Sequence, residues 1–254
     1  MILFFWGTLE KENMRAIKSF LAILAFFSVV VCAYQHKFQP LDTRQQKLDS
    51  LLQSESTKIV CVTGAAGTGK TFLSCQEAVS QLRHKKKNKI VITRPLVFVE
   101  NEELGFLPGD MNEKMLPWTM PIFDHMKEFM ETTEVKRLVQ ENKIEISPLG
   151  YMRGRTFKDA FIILDEAQNT TPQQMKMFLT RMGNNSKVVI NGDLEQSDLP
   201  VSNNGLQDFI LRLQSTYIDD PHGMYRDGFG LVQLFSDKTY RNDMVRKVLD
   251  IYKA

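Results

Sequence analysis

The sequence predicts an α/β sandwich on a mainly parallel sheet, and three observations predict it. Short apolar runs at 58–63, 89–94, 160–164 and 187–191 recur between stretches of helical spacing, the alternation that parallel strands need for their crossovers. The first run feeds Gly64-Ala-Ala-Gly-Thr-Gly-Lys70-Thr71, a glycine turn with the spacing G-x-x-x-x-G-K-[ST]. The third delivers two adjacent carboxylates, Asp165 and Glu166. Together they describe a three-layer sandwich of the P-loop NTPase type, with its ligand at the C-terminal edge of the strands.

Bulk properties agree. A chain of 254 residues, 43% hydrophobic and 24% charged, has material for a sizeable core. A net charge of +2 is too small to argue for a nucleic-acid partner and does not oppose one. Cys32, Cys61 and Cys75 have no metal-type spacing, and an odd count without a framework fits reduced thiols in a reducing compartment. Cys61 and Cys75 fall in apolar element positions, where a thiol acts as a small hydrophobe.

Residues 1–37 differ from the rest. Lys11, Arg15 and Lys18 precede the apolar run Phe20–Tyr34, which has 15 residues. A membrane-spanning helix needs about 17–25, and a basic start with small Ala33 also fits a signal peptide. Three readings stay open: a membrane anchor through 20–34 that leaves an NTPase domain on the cytoplasmic side, a targeting segment, and a start codon placed too early. The remainder, 38–254, reads as that one domain.

Within it, Thr43-Arg-Gln-Gln46 precedes Leu48, Leu51 and Leu52 at helical spacing. Gln46, about eighteen positions before the glycine turn, is a candidate for reading an adenine edge, since an amide offers both a donor and an acceptor. In the turn itself, Gly64, Gly67 and Gly69 let the backbone aim its N–H groups, with those of Ala65, Ala66 and Thr68, at one point. The helix starting near Gly69 adds unpaired N–H groups and the positive end of its dipole. Lys70 can reach the β- and γ-phosphates of ATP, and the Thr71 hydroxyl can take one position on Mg2+. Phe72–Arg83 continues the helix with Phe72, Cys75, Val79 and Leu82 inward, and its basic tail, Arg83-His-Lys-Lys-Lys-Asn-Lys89, complements the helix dipole.

A second strand, 89–94, stops at Pro95. Residues 95–157 read as an insertion, with turn chemistry at 104–110, a helix carrying Phe123, Met126 and Met130 inward, a short strand at 143–147, and a loop, Tyr151–Thr156, with two guanidinium groups. The apolar strand 160–164 then presents Asp165, suited to holding Mg2+, and Glu166, suited to taking a proton from an attacking water. Thr171, Pro172 and Gln174 open the next helix as a capping box, and Gly183 closes it. The strand 187–191 ends in Gly192-Asp193-Leu-Glu-Gln196, an acid and an amide placed to read a γ-phosphate or its water. A short helix at 206–213, a loop at 217–228, a strand at 230–235, Arg241, and an amphipathic helix at 242–252 complete the chain.

From Leu41 to Tyr252 these motifs resemble the PhoH-like P-loop ATPase family, the phosphate-starvation-inducible type whose core is similar to that of superfamily 1 helicases. The resemblance rests on GAAGTGKT (64–71), TRP (93–95), LGFLPGD (104–110), YMRGRT (151–156), ILDEAQNTTPQQMKMFLTRMG (163–183) and NGDLEQSDLP (191–200). It implies a RecA/helicase-like core, with Gln46 in the place of the adenine-reading glutamine. Lys70 and Thr71 match the phosphate and metal contacts, and Asp165 and Glu166 the metal-holding and water-activating acids. Gln196 matches the glutamine that couples γ-phosphate state to movement, and Arg241 the arginine before the last helix, although Lys238 replaces the usual upstream acid. The N-terminal RNA-binding region of long bacterial members and the nuclease domain fused in others do not match any part of these residues.

The expectation is therefore ATP hydrolysis with Mg2+, with helicase activity left open. It is coupled, by resemblance, to RNA or another single-stranded nucleic acid. The alternative is a nucleotide-gated binding module without significant turnover, membrane-associated through 20–34. A small-molecule kinase fits less well, because the acidic pair is matched to water. Helicases clamp ATP between two such cores and this chain has room for one, so a homo-oligomer is expected, a ring such as a hexamer, with Arg153, Arg155 or Arg241 reaching across.

Overall fold

In the structure, a computed structural model, residues 38–95 and 120–235 are described, together with Met244, Lys247 and Ile251. The apolar run at 20–34, the turn at 104–110, Lys238 and Arg241 lie outside the described residues. Among those described, no helix is long and apolar enough to cross a membrane.

Six parallel strands run in the order β3-β2-β4-β5-β1-β6. They are β1 (Ile59–Gly64), β2 (Lys89–Arg94), β3 (Ile144–Pro148), β4 (Ala160–Leu164), β5 (Lys187–Gly192) and β6 (Phe229–Leu234). The apolar runs that the sequence singles out are the four inner strands, buried on both faces. The edge strands β3 and β6 are only partly buried, as expected where one neighbour is missing. The helices are α1 (Thr43–Gln53), α2 (Lys70–Arg83), α3 (Thr132–Gln140), α4 (Pro172–Leu179), α5 (Gly205–Thr216) and α6 (Pro221–Arg226). Residues 120–127 are also helical.

Side-chain parity along each strand sorts the core. Ile59, Cys61, Val91, Ile162, Leu164, Val188 and Ile190 share one face, where Met175 and Phe178 of α4 and Leu206 of α5 pack against them. The intervening residues face α2, which is buried almost continuously from Leu73 to Val79. Burial pushes the Cys61 thiol up to about 12 and the Cys75 thiol up as well, in keeping with their reading as hydrophobes.

Several boundaries differ from the sequence reading. Asp42 caps α1, its side chain accepting from the N–H groups of Arg44 and Gln45. The capping box at Thr171 forms as read. The helix it opens, however, ends at Leu179 rather than Gly183, whose N–H instead donates to the Phe157 carbonyl. Ile122, not Phe123, takes the fully buried position of its helical turn. The stretch read as loop at 217–228 contains α6, which Asp220 caps ahead of a proline at the first turn.

One buried cation ties α1 to the sheet. Lys187, at the start of β5, donates to the carbonyls of Leu51 at 2.9 Å, Leu52 at 2.5 Å and Ser54 at 2.7 Å. Burial pulls its pKa down to about 8, so the ammonium is still mostly charged at neutral pH and caps the C-terminal carbonyls of α1. Lys187→Met removes all three bonds while keeping most of the volume. It is expected to lower the unfolding free energy by about 2–4 kcal/mol in urea titrations.

Candidate active site

The C-terminal ends of β1, β2, β4 and β5 meet at one edge of the sheet, and the residues singled out in the sequence gather there. In the turn after β1, Gly67 and Gly69 adopt φ values of 82° and 90°, in the left-handed region. A Cβ on Gly69 would stand 3.2 Å from Gln45 Nε2. Gly64 is constrained for another reason, since a Cβ there would stand 2.4 Å from the Leu234 carbonyl oxygen of β6. That glycine therefore serves strand packing before it serves any ligand. Lys70 Nζ donates to the carbonyls of Gly64 at 2.5 Å and Ala65 at 2.9 Å, which keeps its charge inside the turn.

Parity explains how the acids arrive. Leu164 faces α4, so Asp165 faces α2, and Thr71 Oγ1 at the start of α2 donates to Asp165 Oδ1 at 2.8 Å. By the same alternation Val91 faces α4 and Arg94 lies on the α2 side with Asp165. Arg94 Nη2 donates to Glu166 Oε1 at 2.9 Å, and its Nε lies 3.6 Å from Asp165 Oδ2. Glu166 has φ 53° and ψ 41°, a left-handed conformation that breaks the strand and re-aims its side chain. Burial raises the Asp165 pKa; Arg94 opposes this, Glu166 adds to it, and the Thr71 bond and Lys70 oppose it further.

A second ring of contacts joins this pair to the loop after β5. Gln168 Nε2 donates to Glu166 Oε2 at 2.7 Å, and Gln168 Oε1 accepts the Asp193 N–H at 3.0 Å. The buried Asp193 carboxylate accepts from the N–H of Glu195 at 3.1 Å and faces the Ala66 N–H of the glycine turn. Its pKa is raised by burial, against the Glu195 N–H, the nearby Lys70 and the Ala66 N–H, with the Glu195 charge adding to the rise. Gln196 is exposed, and only its backbone joins the network: its N–H donates to the Asp193 carbonyl at 3.1 Å and its carbonyl lies 3.5 Å from Gln168 Nε2. Asn191, fully buried, accepts from Ser74 Oγ at 3.1 Å and leaves its Nδ2 without a partner.

Gln46 is exposed, whereas the neighbouring Gln45 is buried and donates through Nε2 to the Thr68 carbonyl at 3.0 Å while accepting the Leu41 N–H. One residue along a helix is a rotation of about 100°, enough to exchange the buried face for solvent. Of the three arginines expected to reach across, Arg155 is committed within its own chain. It pairs with Glu145 through both terminal nitrogens and sits 4.6 Å from the centre of the Phe157 ring. Arg153 is exposed, and Arg241 is outside the described residues.

The residues present fit a magnesium-bound triphosphate. Thr71 and Asp165 offer a hydroxyl and a carboxylate oxygen, and among the described residues no cluster of three His, Cys, Asp or Glu forms a closed metal cage. Few protein oxygens plus phosphate and water is how Mg2+ is held beside nucleotides.

Arg94, Gln168 and Gln45 carry no role in the sequence reading. Arg94 stands in the Thr-Arg-Pro motif and Gln168 two residues after Glu166, so their positions were visible, while their hydrogen bonds needed the strand order. A raised carboxylate pKa means that folding favours the protonated form, so the ionised group costs stability at every pH above its folded value. Asp165→Asn is therefore expected to raise the melting temperature at neutral pH without ligand by roughly 2–5 °C. Differential scanning calorimetry checks the sign.

Residues 37–253 match the family model described as PhoH-like protein. The chain is 44% identical over 199 residues to the PhoH-like protein of Mycobacterium tuberculosis, covering 78% of this chain and 53% of that protein. It is 44% identical over 190 residues to the PhoH-like protein of Bacillus subtilis, covering 74% and 56%. It is 42% identical over 191 residues to Protein PhoH of Escherichia coli, covering 74% and 53%. The chain spans about half the length of the curated relatives it matches. With the family model covering nearly all of the sheet-bearing region, the chain belongs to the PhoH-like protein family.

Proposed function

We propose that residues 38–254 form a cytoplasmic ATPase domain that binds ATP with Mg2+ and hydrolyses it, coupled to remodelling of RNA or another single-stranded nucleic acid. The observation that carries this reading is the 2.8 Å contact between Thr71, at the N-terminus of the phosphate-binding helix, and Asp165, at the end of β4. It puts the glycine turn and the acidic pair at one point. Thr71 and Asp165 would hold Mg2+, which supplies charge neutralisation at the phosphates when bound.

The chain's own groups do the rest. The N–H groups of the turn and of the first turn of α2 point positive dipoles at the phosphates. Lys70 exchanges its two carbonyl acceptors for phosphate oxygens. Glu166 receives the proton of the attacking water, held in place by Gln168. Gln45 braces the turn through the Thr68 carbonyl. A transition-state arginine comes from a neighbouring subunit in a ring-shaped homo-oligomer, and the exposed Arg153 is the described residue suited to it.

A second reading has one observation in its favour. Both carboxylate oxygens of Glu166 are held by donors, Arg94 and Gln168, which suits a nucleotide-gated binding module with negligible turnover. Steady-state phosphate release by the full chain, with and without single-stranded RNA, separates the two. RNA-stimulated release that weakens as salt rises supports the remodelling enzyme, and ATP binding without release supports the module.

Glu166→Gln is expected to retain ATP binding while kcat falls by roughly 10²–10⁴-fold; unchanged turnover would remove Glu166 from the chemistry. Gln45→Ala is expected to raise the Kd for ATP about fivefold to tenfold by unpairing the Thr68 carbonyl, and Gln46→Ala to leave it within about twofold. Isothermal titration of the two variants distinguishes the neighbouring glutamines.

A further inference from the structure

Arg94 is the last residue of β2, and the strand order gives its pairing a direction. β2 borders β4 on one side, while β5 and then β1, which carries the glycine turn, lie on the other. A Glu166 carboxylate bonded to Arg94 Nη2 at 2.9 Å is therefore held on the β2 side of β4, the side opposite the strand that carries the glycine turn. The left-handed backbone of Glu166 sets the side chain free of the strand's alternation, so its direction is chosen by its partners. Those are Arg94 on the β2 side and Gln168, which bridges toward β5. The guanidinium is 16% exposed, buried enough to hold the pair and open enough to be reached.

What could reach it is written on the neighbouring strand. Arg94 lies opposite Pro148 in the β2–β3 register, and the turn Leu149–Met152 follows at once. That turn presents Tyr151, 57% exposed, and is followed by the exposed Arg153. An exposed aromatic ring beside guanidinium groups is the chemistry that takes a stacked base and a phosphodiester.

We propose that Arg94 is a positioning residue that holds Glu166 back from the phosphate site, and that a single-stranded nucleic acid over the β2–β3 edge draws the guanidinium onto its phosphate and releases Glu166. The proposal rests on the reading of the chain as a nucleic-acid-coupled ATPase and deepens it: basal hydrolysis is slow because the base is tethered, and the partner's own charge unties it.

The test uses the full chain, its Arg94→Ala, Arg94→Lys and Glu166→Gln variants, and a single-stranded RNA homopolymer as probe. Arg94→Ala is expected to raise the RNA-free kcat about tenfold and to make RNA add less than about twofold more. Arg94→Lys, which keeps a cation, is expected to hold the low RNA-free rate. Without nucleotide, the melting-temperature changes of Arg94→Ala and Glu166→Gln are expected to be non-additive, because each removes the same pair.

A lower kcat in Arg94→Ala would overturn the proposal, since Arg94 would then assist the reaction rather than restrain it, and additive melts would remove the pair itself. Wild-type hydrolysis that RNA never stimulates, with a faster Arg94→Ala, overturns the nucleic-acid partner and keeps the restraint. If neither wild type nor Arg94→Ala releases phosphate, the ATPase reading falls and takes the proposal with it.

Discussion

A carboxylate buried at the end of an apolar strand is the constraint on which the site depends. Asp165 leaves water and sits one residue from a second acid, so both desolvation and like charge press against its ionised form. Donors and cations from two elements offset that pressure: the Thr71 hydroxyl and the Lys70 ammonium from the first turn of α2, and the Arg94 guanidinium from β2. The parallel sheet delivers both elements to one edge. The N-terminal end of α2 adds the positive end of its dipole. The same electrostatic deficit that makes Asp165 costly to fold would be relieved by a divalent cation, the role proposed for it.

Holding α2 over that deficit requires a rigid seat, and the seat is built from polar as well as apolar burial. Ser74, Gln76, Glu77 and Gln81 are buried along with Leu73, Cys75, Ala78 and Val79. Gln81 donates both to Glu77 of the same helix and to the Leu52 carbonyl of α1. Lys187 fastens the same end of α1 from the sheet. Gln45, near the other end of α1, reaches the glycine turn. A single helix, α1, is therefore pinned at its C-terminal end to the start of β5 and near its N-terminal end to the phosphate loop, which fixes where that loop can stand.

Much of this was legible in the residues. Inner strands buried on both faces need uninterrupted apolar runs, and β1, β2, β4 and β5 have them. The glycine turn and the acidic pair follow their strands directly, so their meeting at one edge followed from parallel pairing alone. What resisted reading was phase and partnership. Gln45 and Gln46 are chemically identical neighbours, and only the rotation of α1 against the sheet decides which is buried. Gly183 looks like a helix stop, yet α4 ends earlier because Phe157 claims its N–H through a contact between distant segments. The helix at 221–226 was announced by Asp220-Pro221, a cap followed by a first-turn proline, a signal that turn-rich surroundings hid.

The pairings around Glu166 are the least visible in sequence because they depend on which strands are neighbours. Placing β2 rather than β5 on the outer side of β4 is what lets Arg94 oppose Gln168 across the same carboxylate. Gln168 connects in turn to the Asp193 N–H, and the Asp193 carboxylate accepts from the Glu195 N–H beside the glycine turn. The chain of bonds thus runs from β2 through Glu166 to the loop after β5, and every link is a hydrogen bond to a charged group or from a backbone N–H. Such links are strong only while both partners stay in place. Moving either Arg94 or Asp193 therefore changes what Glu166 can face, and the two ends of that chain lie where a polymer phosphate and a nucleotide phosphate would each compete for a partner.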